Sequence, residues 1–215
     1  MKTRSILLAG FVLGTFAISG VSLVAVTHEA VDGRIADNQY QAMKRKLETI
    51  LPAGRADNDP LRDHIQVAAR DLLGTETTQV YRARKGEDPV ALVLEPVVPD
   101  GYAGPIKLLI SVLHDGTLGG VRVVSHHETP GLGDKIEEAK SDWILAFTGK
   151  SLTDPPLDKW GVKRDGGEFD QFTGATITPR SIVNAVKNAL LYVDQQGDRL
   201  FRPVEPAVPA EREKS

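Results

Sequence analysis

The longest run of apolar positions lies at the start of the chain. After Lys2 and Arg4, the segment Ser5 to Val26 contains no charged residue and is rich in Leu, Val, Ile, Phe, Ala and Gly. As a helix, about 22 residues at roughly 1.5 Å each span on the order of 33 Å, enough to cross a hydrocarbon core of about 30 Å. The two basic residues precede this span, so we expect a cytoplasmic N-terminus, with everything after Thr27 on the far side of the membrane.

A cleaved signal peptide is the alternative to a retained anchor. The apolar region of a signal peptide is typically only about 7–15 residues long. Small-x-small sites such as Ala17-Ile18-Ser19 occur, but the apolar run continues past them. The pattern therefore favours a retained transmembrane anchor over residues 1–27.

Beyond the anchor, the periodicity of apolar positions predicts both helices and strands. A 3.6-residue repeat predicts a helix from His28 to about Leu51, and a short helix is expected near Arg62 to Leu73 within a polar stretch. The other predicted elements are strands at 79–83 and 90–96, a hairpin of strands 106–113 and 118–125, and helices at 135–147 and 179–194. The hairpin prediction depends on Asp115-Gly116, a two-residue turn signal in which both residues can take a positive φ.

This order of elements predicts an α+β fold, with one N-terminal transmembrane helix followed by a mostly antiparallel sheet domain with packed helices. Thr178 is a good N-cap for the last helix, and Pro179 suits its first position. We divide the chain into the anchor at 1–27, a helical connecting segment at 28–77, a globular domain at 78–196, and a tail at 197–215. The tail is rich in Pro, Glu and Arg and is predicted to be disordered.

The amino-acid composition excludes several classes of function for this chain. The formal net charge of -3 is too near neutral to suggest nucleic acid as a partner, and no basic run is interleaved with aromatic residues. The chain has no cysteine, which excludes disulfides, thiolate catalysis and iron–sulfur ligation by this chain. His126 and His127 would point to opposite faces of a strand, so they cannot readily share a site with His114, and we predict no metal.

Two glycine-containing segments carry the candidate chemistry. The first is Glu128-Thr129-Pro130-Gly131-Leu132-Gly133, between a predicted strand and a predicted helix. Its proline and two glycines make a turn whose backbone can approach a ligand closely. Local chemistry alone favours an ordinary strand-to-helix turn, with Asp134 able to cap the next helix, although such a turn does not need the polar Glu128 and Thr129.

The second segment is Asp170-Gln171-Phe172-Thr173-Gly174-Ala175-Thr176-Ile177-Thr178-Pro179, which leads into the last predicted helix. A helix N-terminus offers unpaired N–H groups and positive partial charge, both suited to a phosphate. Gly174 and Ala175 keep the approach open, and Arg180 could add charge-assisted hydrogen bonds. Without reference to any family, the simpler interpretation is again a helix cap after a turn.

The two segments together resemble a known family. Asp-x-x-Thr-Gly-Ala-Thr, here Asp170 to Thr176, resembles the flavinylation motif of FMN-binding domains in bacterial respiratory complexes, and Glu128 to Gly133 resembles that family's second signature. Thr173 stands where Ser is common, which keeps the hydroxyl. The resemblance covers roughly Tyr81 to Tyr192 and the anchor. In size and layout the chain is most similar to the G subunit of the Rnf (also called Rsx) electron transport complex.

The resemblance implies a covalent cofactor. In that family the last Thr of the motif holds FMN through a phosphoester bond, and carried over to this chain that residue is Thr176. The implied cofactor-binding residues are Thr176, Glu128, Thr129, Gly131, Leu132, Gly133, Asp170, Thr173, Gly174, Ala175 and Thr178. We expect Glu128, Thr129 and Leu132 to line the isoalloxazine ring, where the Glu128 carboxylate would disfavour the anionic reduced flavin and lower its potential.

The resemblance also implies partners and a location. A threonine hydroxyl stays protonated at neutral pH, so attachment needs outside help. By resemblance, a Mg²⁺-dependent flavin transferase uses FAD, leaves FMN on Thr176 and releases AMP. The chain would then relay electrons among the other membrane subunits of a complex that couples ferredoxin/NAD electron transfer to ion translocation. Its FMN domain, residues 78–196, would face the periplasm from a bacterial inner membrane.

Other interpretations remain open. The C subunit of the sodium-pumping NADH:quinone reductase has a similar flavin domain but is usually longer, and other flavinylated periplasmic regulators exist. A protein of a different class, a flavin-free anchored scaffold in which both segments are only turns, would fit the same local patterns. None of these is expected to act as a stand-alone enzyme.

Overall fold

The computed structural model describes residues 2–51 and 53–202 of the chain. These residues form two compact units, divided in sequence between Arg45 and Lys46. A helix, α1, runs without a break over Lys2–Ile50, which confirms the predicted helix from residue 28 onward. Its sequence contains no proline, and the first breaker is Pro52.

The first unit is helical and carries exposed apolar side chains. Those of Phe11, Phe16 and Val21 are at least 70% exposed. Among the residues that the structure describes, no helix is long and apolar enough to cross a membrane. The transmembrane span over residues 5–26 therefore remains a prediction.

The second unit contains an antiparallel sheet, as predicted. Its strands are β1 (His64–Val67), β2 (Thr78–Lys85), β3 (Asp88–Leu94), β4 (Val97–Val98), β5 (Ile106–Leu113) and β6 (Leu118–Ser125). Strands β1, β2 and β3 follow one another in the sheet, β3 and β4 pair with successive parts of one edge of β5, and β6 pairs with the other edge. Together with its helices, this sheet confirms the α+β fold class.

The predicted hairpin is the β5–β6 pair, but its turn differs from the expected one. Gly116 has φ +84°, whereas no residue other than glycine has a positive φ in the described chain, so Asp115 does not adopt one. The Leu113 N–H donates to Thr117 O at 2.8 Å, which closes a three-residue loop. Asp115 Oδ1 accepts from the Thr117 N–H at 2.9 Å, so the aspartate stabilises the turn through its side chain.

The last helix, α3, covers Ile177–Gln196. Thr176 occupies the N-cap position, so the predicted start at Pro179 is wrong by two residues. Pro179 is tolerated because it lies in the first turn, where its missing N–H has no partner within the helix. The apolar face of α3 is buried in the core against the sheet, through Ile182, Val183, Val186 and Leu190, with Val193 partly buried.

Two helix predictions are corrected by the structure. The single helix expected at 135–147 is a pair of short 3₁₀ helices, Gly133–Ile136 and Asp142–Phe147. Ser141 separates them, since its Oγ donates to Lys135 O and accepts from the Trp143 N–H, a local competition with helix hydrogen bonding.

The helix expected near Arg62 to Leu73 is also largely wrong. Only α2, Arg70–Leu73, is helical, and His64–Val67 form β1, where Ile65 pairs with Val80 of the neighbouring strand. Sheet pairing has overridden the local pattern here.

Ordered structure continues beyond the predicted start of the tail. Gly197–Phe201 form a 3₁₀ helix, and Leu200 and Phe201 are buried in the core of the second unit. The remainder of the predicted tail, residues 203–215, lies outside the described residues.

The C-terminal end of α1 belongs to the second unit and packs on the β5–β6 hairpin. Leu47 and Ile50 are buried, and Lys46 Nζ donates to the carbonyl oxygens of Val123 and Val124 at 3.2 Å each. Gly119 permits this packing, because a Cβ there would lie 2.6 Å from Ile50 O. The C-terminal end of α1 therefore packs directly on the backbone of β6.

We predict that Gly119→Ala lowers the free energy of unfolding of the second unit by about 1–3 kcal/mol, since overpacking forces the backbone apart. Gly120→Ala is the matched control. Its Cβ would meet the Ile50 side chain at 3.0 Å, which can move, so a smaller loss is expected. Both tryptophans of the chain lie in this unit, so urea unfolding of the full chain followed by tryptophan fluorescence measures the effect. Equal losses of unfolding free energy in the two variants would contradict the importance of the close backbone contact between Gly119 and Ile50.

Candidate functional site

The carboxyl group of Glu128 joins three segments of the second unit. Thr178 Oγ1, in the first turn of α3, donates to Glu128 Oε2 at 2.8 Å. The backbone N–H of Ala103 donates to Oε1 at 3.2 Å. Glu128 is only 5% exposed and Thr178 is fully buried. The loop at 101–104, the segment at 128–133 and the start of α3 therefore meet at one buried carboxylate.

Glycines leave the space that this carboxylate fills. A Cβ on Gly133 would lie 2.3 Å from Glu128 Oε2, and a Cβ on Gly101 would lie 3.0 Å from Oε1 and 2.2 Å from Gly104 O. Distances of this kind are too short for any side chain, so a larger residue at Gly101 or Gly133 would displace a neighbour. Gly133 of the first segment and Gly101 of the 101–104 loop thus serve packing around Glu128.

His126 fixes the backbone at the entry to the first segment. The Glu128 N–H donates to His126 Nδ1 at 3.0 Å, which makes Nδ1 an acceptor. The proton of the neutral ring then lies on Nε2, which is 2.7 Å from Glu137 Oε1. The imidazole therefore bridges Glu128 to the loop between the two 3₁₀ helices.

The first segment is a compact turn with an exposed rim. Thr129 O accepts from the N–H groups of Leu132 and Gly133 at 3.1 and 3.2 Å. Gly131 has φ +80°, and its N–H donates to Asp134 Oδ1 at 2.8 Å. Asp134 thus stabilises the preceding turn instead of capping the following helix as expected. Thr129, Gly131 and Leu132 remain exposed, and Leu132 is 43% exposed.

The second segment contains a tight turn, which is supported by packed aromatic rings. The Ala175 N–H donates to Phe172 O at 3.2 Å, and Gly174 has φ +82°. Trp143 Nε1 donates to Asp170 O at 2.7 Å, and its ring centroid lies 5.2 Å from that of Phe172. Phe172 is buried in the same core as Phe147. Trp143, which is partly buried against this core, therefore supports the loop.

Thr176 stands at the N-terminus of the 20-residue helix α3. Its side chain is half-buried and makes no capping hydrogen bond, so the hydroxyl is not used to satisfy the helix. The first-turn N–H groups of α3 carry positive partial charge beside it. Thr173 and Gly174 are exposed in the turn just before it.

The structure brings the two segments together. A Cβ on Gly174 would lie 3.7 Å from Leu132 Cδ2, and Thr178 bonds to Glu128. The Asp170 carboxylate is turned to Lys163, with 2.6 Å between Asp170 Oδ1 and Lys163 Nζ. The sequence did not predict the contacts of Ala103 and Trp143, because their partners lie 25 and 27 residues away along the chain. The contact of His126 with the Glu128 N–H is local, but no sequence signal identified it.

Arg180 is engaged by a neighbouring carboxylate. Its Nε lies 2.6 Å from Asp165 Oδ2, and its Nη2 lies 2.9 Å from Oδ1. The hydrogen bond from this guanidinium lowers the pKa of the Asp165 carboxyl. A phosphate contact by Arg180, which the sequence suggested, would have to compete with this pair.

The histidines have other partners. His114 Nε2 lies 3.4 Å from Asp198 Oδ1, and His126 contacts Glu137. Within the described residues, no three His, Asp or Glu side chains are grouped to hold a metal ion. A pocket of about 430 Å³ lies between the β5–β6 turn and the C-terminal end of α3, and neither segment lines it. This pocket is therefore separate from the candidate site around Thr176.

Family comparisons identify the class of this site. Residues 101–191, which contain both segments, match the FMN-binding domain family, and residues 1–50 match the RnfG N-terminal region. The second unit thus contains an FMN-binding domain.

Curated relatives match the chain over most of its length. A protein of Pseudomonas aeruginosa (strain UCBPP-PA14) is 49% identical over 205 residues, which cover 95% of this chain and 96% of the relative. One of Vibrio atlanticus is 44% identical over 192 residues, covering 89% and 92%. One of Salmonella typhi is 44% identical over 185 residues, covering 86% and 89%. Each is named as the G subunit of an ion-translocating oxidoreductase complex, and the chain belongs to this family of G subunits.

We predict that Glu128→Ala lowers the free energy of unfolding by about 2–4 kcal/mol, because it leaves the Thr178 hydroxyl and the Ala103 N–H buried without an acceptor. Glu128→Gln is the matched control. Its amide oxygen can accept from Ala103 and its amide nitrogen can donate to Thr178 Oγ1, so a loss of about 1 kcal/mol or less is expected. Urea unfolding of the full chain compares the two variants. A Gln variant as unstable as the Ala variant would show that charge, and not the hydrogen bonds, holds the junction.

Proposed function

We propose that this chain is an electron-relay subunit of a membrane-bound ion-translocating oxidoreductase complex and holds FMN covalently on Thr176. The observation that carries the proposal is the position of Thr176. Its hydroxyl lies at the N-terminus of a 20-residue helix, is not used to cap that helix, and follows an exposed turn within a matched FMN-binding domain.

The residues present suit a phosphoester at this position. The phosphate of FMN is negatively charged, and a helix N-terminus offers unpaired N–H groups and positive partial charge. Gly174 has no side chain to obstruct the approach, and a Cβ there would meet only Leu132. We propose Asp170, Thr173, Gly174, Ala175 and Thr178 as the phosphate side of the site.

We propose that the first segment lies beside the isoalloxazine ring of FMN. Glu128, Thr129, Gly131, Leu132 and Gly133 form it, and Leu132 lies against Gly174 of the attachment turn. When bound, FMN accepts electrons and passes them on, while the protein supplies its position and its electrostatic surroundings. The buried Glu128 acts on that position through Thr178 and Ala103, and the proposed effect of its charge on the flavin potential adds to this.

Attachment requires a separate flavin transferase. In the proposed step, Thr176 Oγ attacks the FMN phosphorus of FAD, the pyrophosphate bond breaks, AMP leaves, and the hydroxyl proton passes to a base of the transferase. The exposed turn at residues 173–174 makes the attachment residue accessible to such an enzyme. The Mg²⁺ that this reaction uses belongs to the transferase and its FAD.

The N-terminal helix is proposed as the membrane anchor. The uncharged run Ser5 to Val26 carries exposed apolar side chains, among them Phe11 and Phe16, which would be costly to leave in water. By the positive-inside tendency, Lys2 and Arg4 place the N-terminus in the cytoplasm and the flavin domain in the periplasm. We propose the other membrane subunits as redox partners in a complex that couples ferredoxin/NAD electron transfer to ion movement.

We predict that Thr176→Val abolishes covalent flavin while leaving the fold intact, since valine keeps the branched shape and removes only the hydroxyl. The full chain is expressed with an active flavin transferase and run on a denaturing gel under ultraviolet light. A fluorescent wild-type band and a dark Val band are expected. Thr176→Ser, which keeps a hydroxyl, is the matched control and should retain some fluorescence.

A dark wild-type band, with the transferase active on another substrate, would contradict the proposal. It would favour an anchored scaffold without redox chemistry.

A further inference from the structure

The pocket of about 430 Å³ beside the C-terminal end of α3 lies far from Thr176. Val193 lines it, and at roughly 1.5 Å per residue Val193 is about 24 Å along the helix from Ile177 at the helix start. The volume is within the range of about 300–1,000 Å³ that is typical of ligand sites. The pocket can therefore be occupied without obstructing the candidate flavin site.

Part of the pocket wall is apolar and belongs to the core. Leu92 of β3, Val112 of β5, Leu190 of α3 and Phe201 line it, and each is at most 8% exposed. The guanidinium carbon of Arg84 lies 5.6 Å from the centre of the Phe201 ring and helps to hold that ring in place. An apolar chain that enters the pocket would be removed from water here.

The exposed part of the wall carries three carboxylates. Asp115 in the β5–β6 turn, Asp194 in α3 and Asp198 after the helix all line the pocket and are exposed. Asp115 Oδ1 accepts from the Thr117 N–H at 2.9 Å and from the Thr117 hydroxyl at 2.6 Å. These hydrogen bonds, with a smaller contribution from Arg55, lower the pKa of the Asp115 carboxyl. Three separate segments thus bring negative charge to one opening.

Positive charge does not balance these carboxylates inside the pocket. The described residues that line it include no lysine or arginine. The last turn of α3, where the helix dipole is negative, has no basic residue. His114 Nε2 lies 3.4 Å from Asp198 Oδ1, and Lys150, the chain neighbour of Ser151 in the wall, is paired with Glu168 at 2.7 Å. The pocket therefore favours a cation.

The shape of the site indicates which kind of cation. In the part of the chain that the structure describes, no three His, Asp or Glu side chains are grouped to hold a metal ion, and a metal ion would leave the apolar wall unused. A lysine or arginine side chain matches both parts of the pocket. Its aliphatic stem can be buried while its charged head stays at the polar rim.

We propose that this pocket receives a lysine or arginine side chain of a neighbouring subunit, with its stem against Leu190 and Phe201 and its charged head among Asp115, Asp194 and Asp198. The proposal rests on the proposed membership of a multi-subunit complex and does not depend on flavin at Thr176. A contact at this end of α3 holds the domain in the complex and leaves the other end of the helix free.

The first experiment asks what the pocket binds in the isolated full chain. The chain has no cysteine, so Thr153→Cys places a single thiol in the pocket wall. The rate at which an uncharged maleimide labels this thiol is measured with N-acetyl-lysine amide and with N-acetyl-norleucine amide, which has a similar stem and no charge. Each rate is divided by the rate without a probe. We expect the lysine probe at tens of millimolar to slow labelling severalfold, and the norleucine probe to leave the rate unchanged.

Charge variants test whether the carboxylates select the cation. Asp194→Asn, added to Thr153→Cys, removes one negative charge and should weaken the protection by the lysine probe severalfold. Asp158→Asn is the matched control, because Asp158 is exposed and does not line the pocket. Protection by neither probe, equal protection by both probes, or equal weakening by Asp194→Asn and Asp158→Asn overturns the cation site.

The second experiment asks whether a neighbouring subunit fills the pocket. Thr153→Cys is labelled in membranes that contain the assembled complex, with Asp158→Cys as the exposed control. Relative to the isolated chain, we expect labelling of Thr153→Cys to slow severalfold and labelling of Asp158→Cys to stay the same. Asp194→Lys, added to Thr153→Cys, should restore fast labelling because it repels the incoming cation.

The outcomes separate this proposal from the proposed function. If the other subunits co-purify with the chain and Thr153→Cys is labelled equally fast in membranes and in isolation, the neighbour is overturned as occupant and complex membership stands. Slow labelling in membranes that Asp194→Lys does not relieve also overturns the proposal, since the cover would then not depend on charge. If the other subunits do not co-purify, complex membership and this proposal fail together. A dark flavin band affects neither labelling experiment.

Discussion

The arrangement of this domain depends on one buried carboxylate. An ionised carboxyl away from water is costly unless it is hydrogen-bonded. Glu128 meets this condition only when the Ala103 N–H and the Thr178 hydroxyl are both in place. Alternative positions of the 101–104 loop or of α3 would leave a buried charge without donors. The interaction therefore specifies where three segments lie relative to one another, beyond any stability that it adds.

The position of Thr176, the proposed attachment residue, follows from the same contact. Thr178 is in the first turn of α3, and Thr176 is two residues earlier along the chain. Once Glu128 holds Thr178, the start of the helix is set and the Thr176 hydroxyl has a defined place. Trp143 supports the other end of the segment from Asp170 to Thr176, since its indole N–H donates to the carbonyl oxygen of Asp170. The side chain proposed to carry the cofactor is thus fixed by groups that need not touch the cofactor.

Sequence periodicity was sufficient to predict an element whose conformation depends mainly on its own residues. The β5–β6 hairpin and the helix α3 were predicted because the pattern of each repeats along its own segment. Prediction failed where a specific side-chain or strand contact decides the local structure. Ser141 interrupts the helix expected at 135–147, and β1 forms only because β2 lies beside it. The structural role of Glu128 could not be predicted for the same reason, since its partner Thr178 is 50 residues away in the chain.

Some polar and apolar groups at this site are placed in the reverse of the usual arrangement. The polar contacts of Glu128 are buried, whereas Tyr102 and Ile177 are exposed. A covalent bond at Thr176 would explain why a site with so many exposed residues suffices. A tethered ring stays at high effective concentration, so its seat needs to supply orientation and little affinity. A freely dissociating flavin would need a deep pocket that buries most of its surface. An exposed site of this kind would leave an edge of the ring open to a neighbouring protein of the complex, as the proposed electron relay requires.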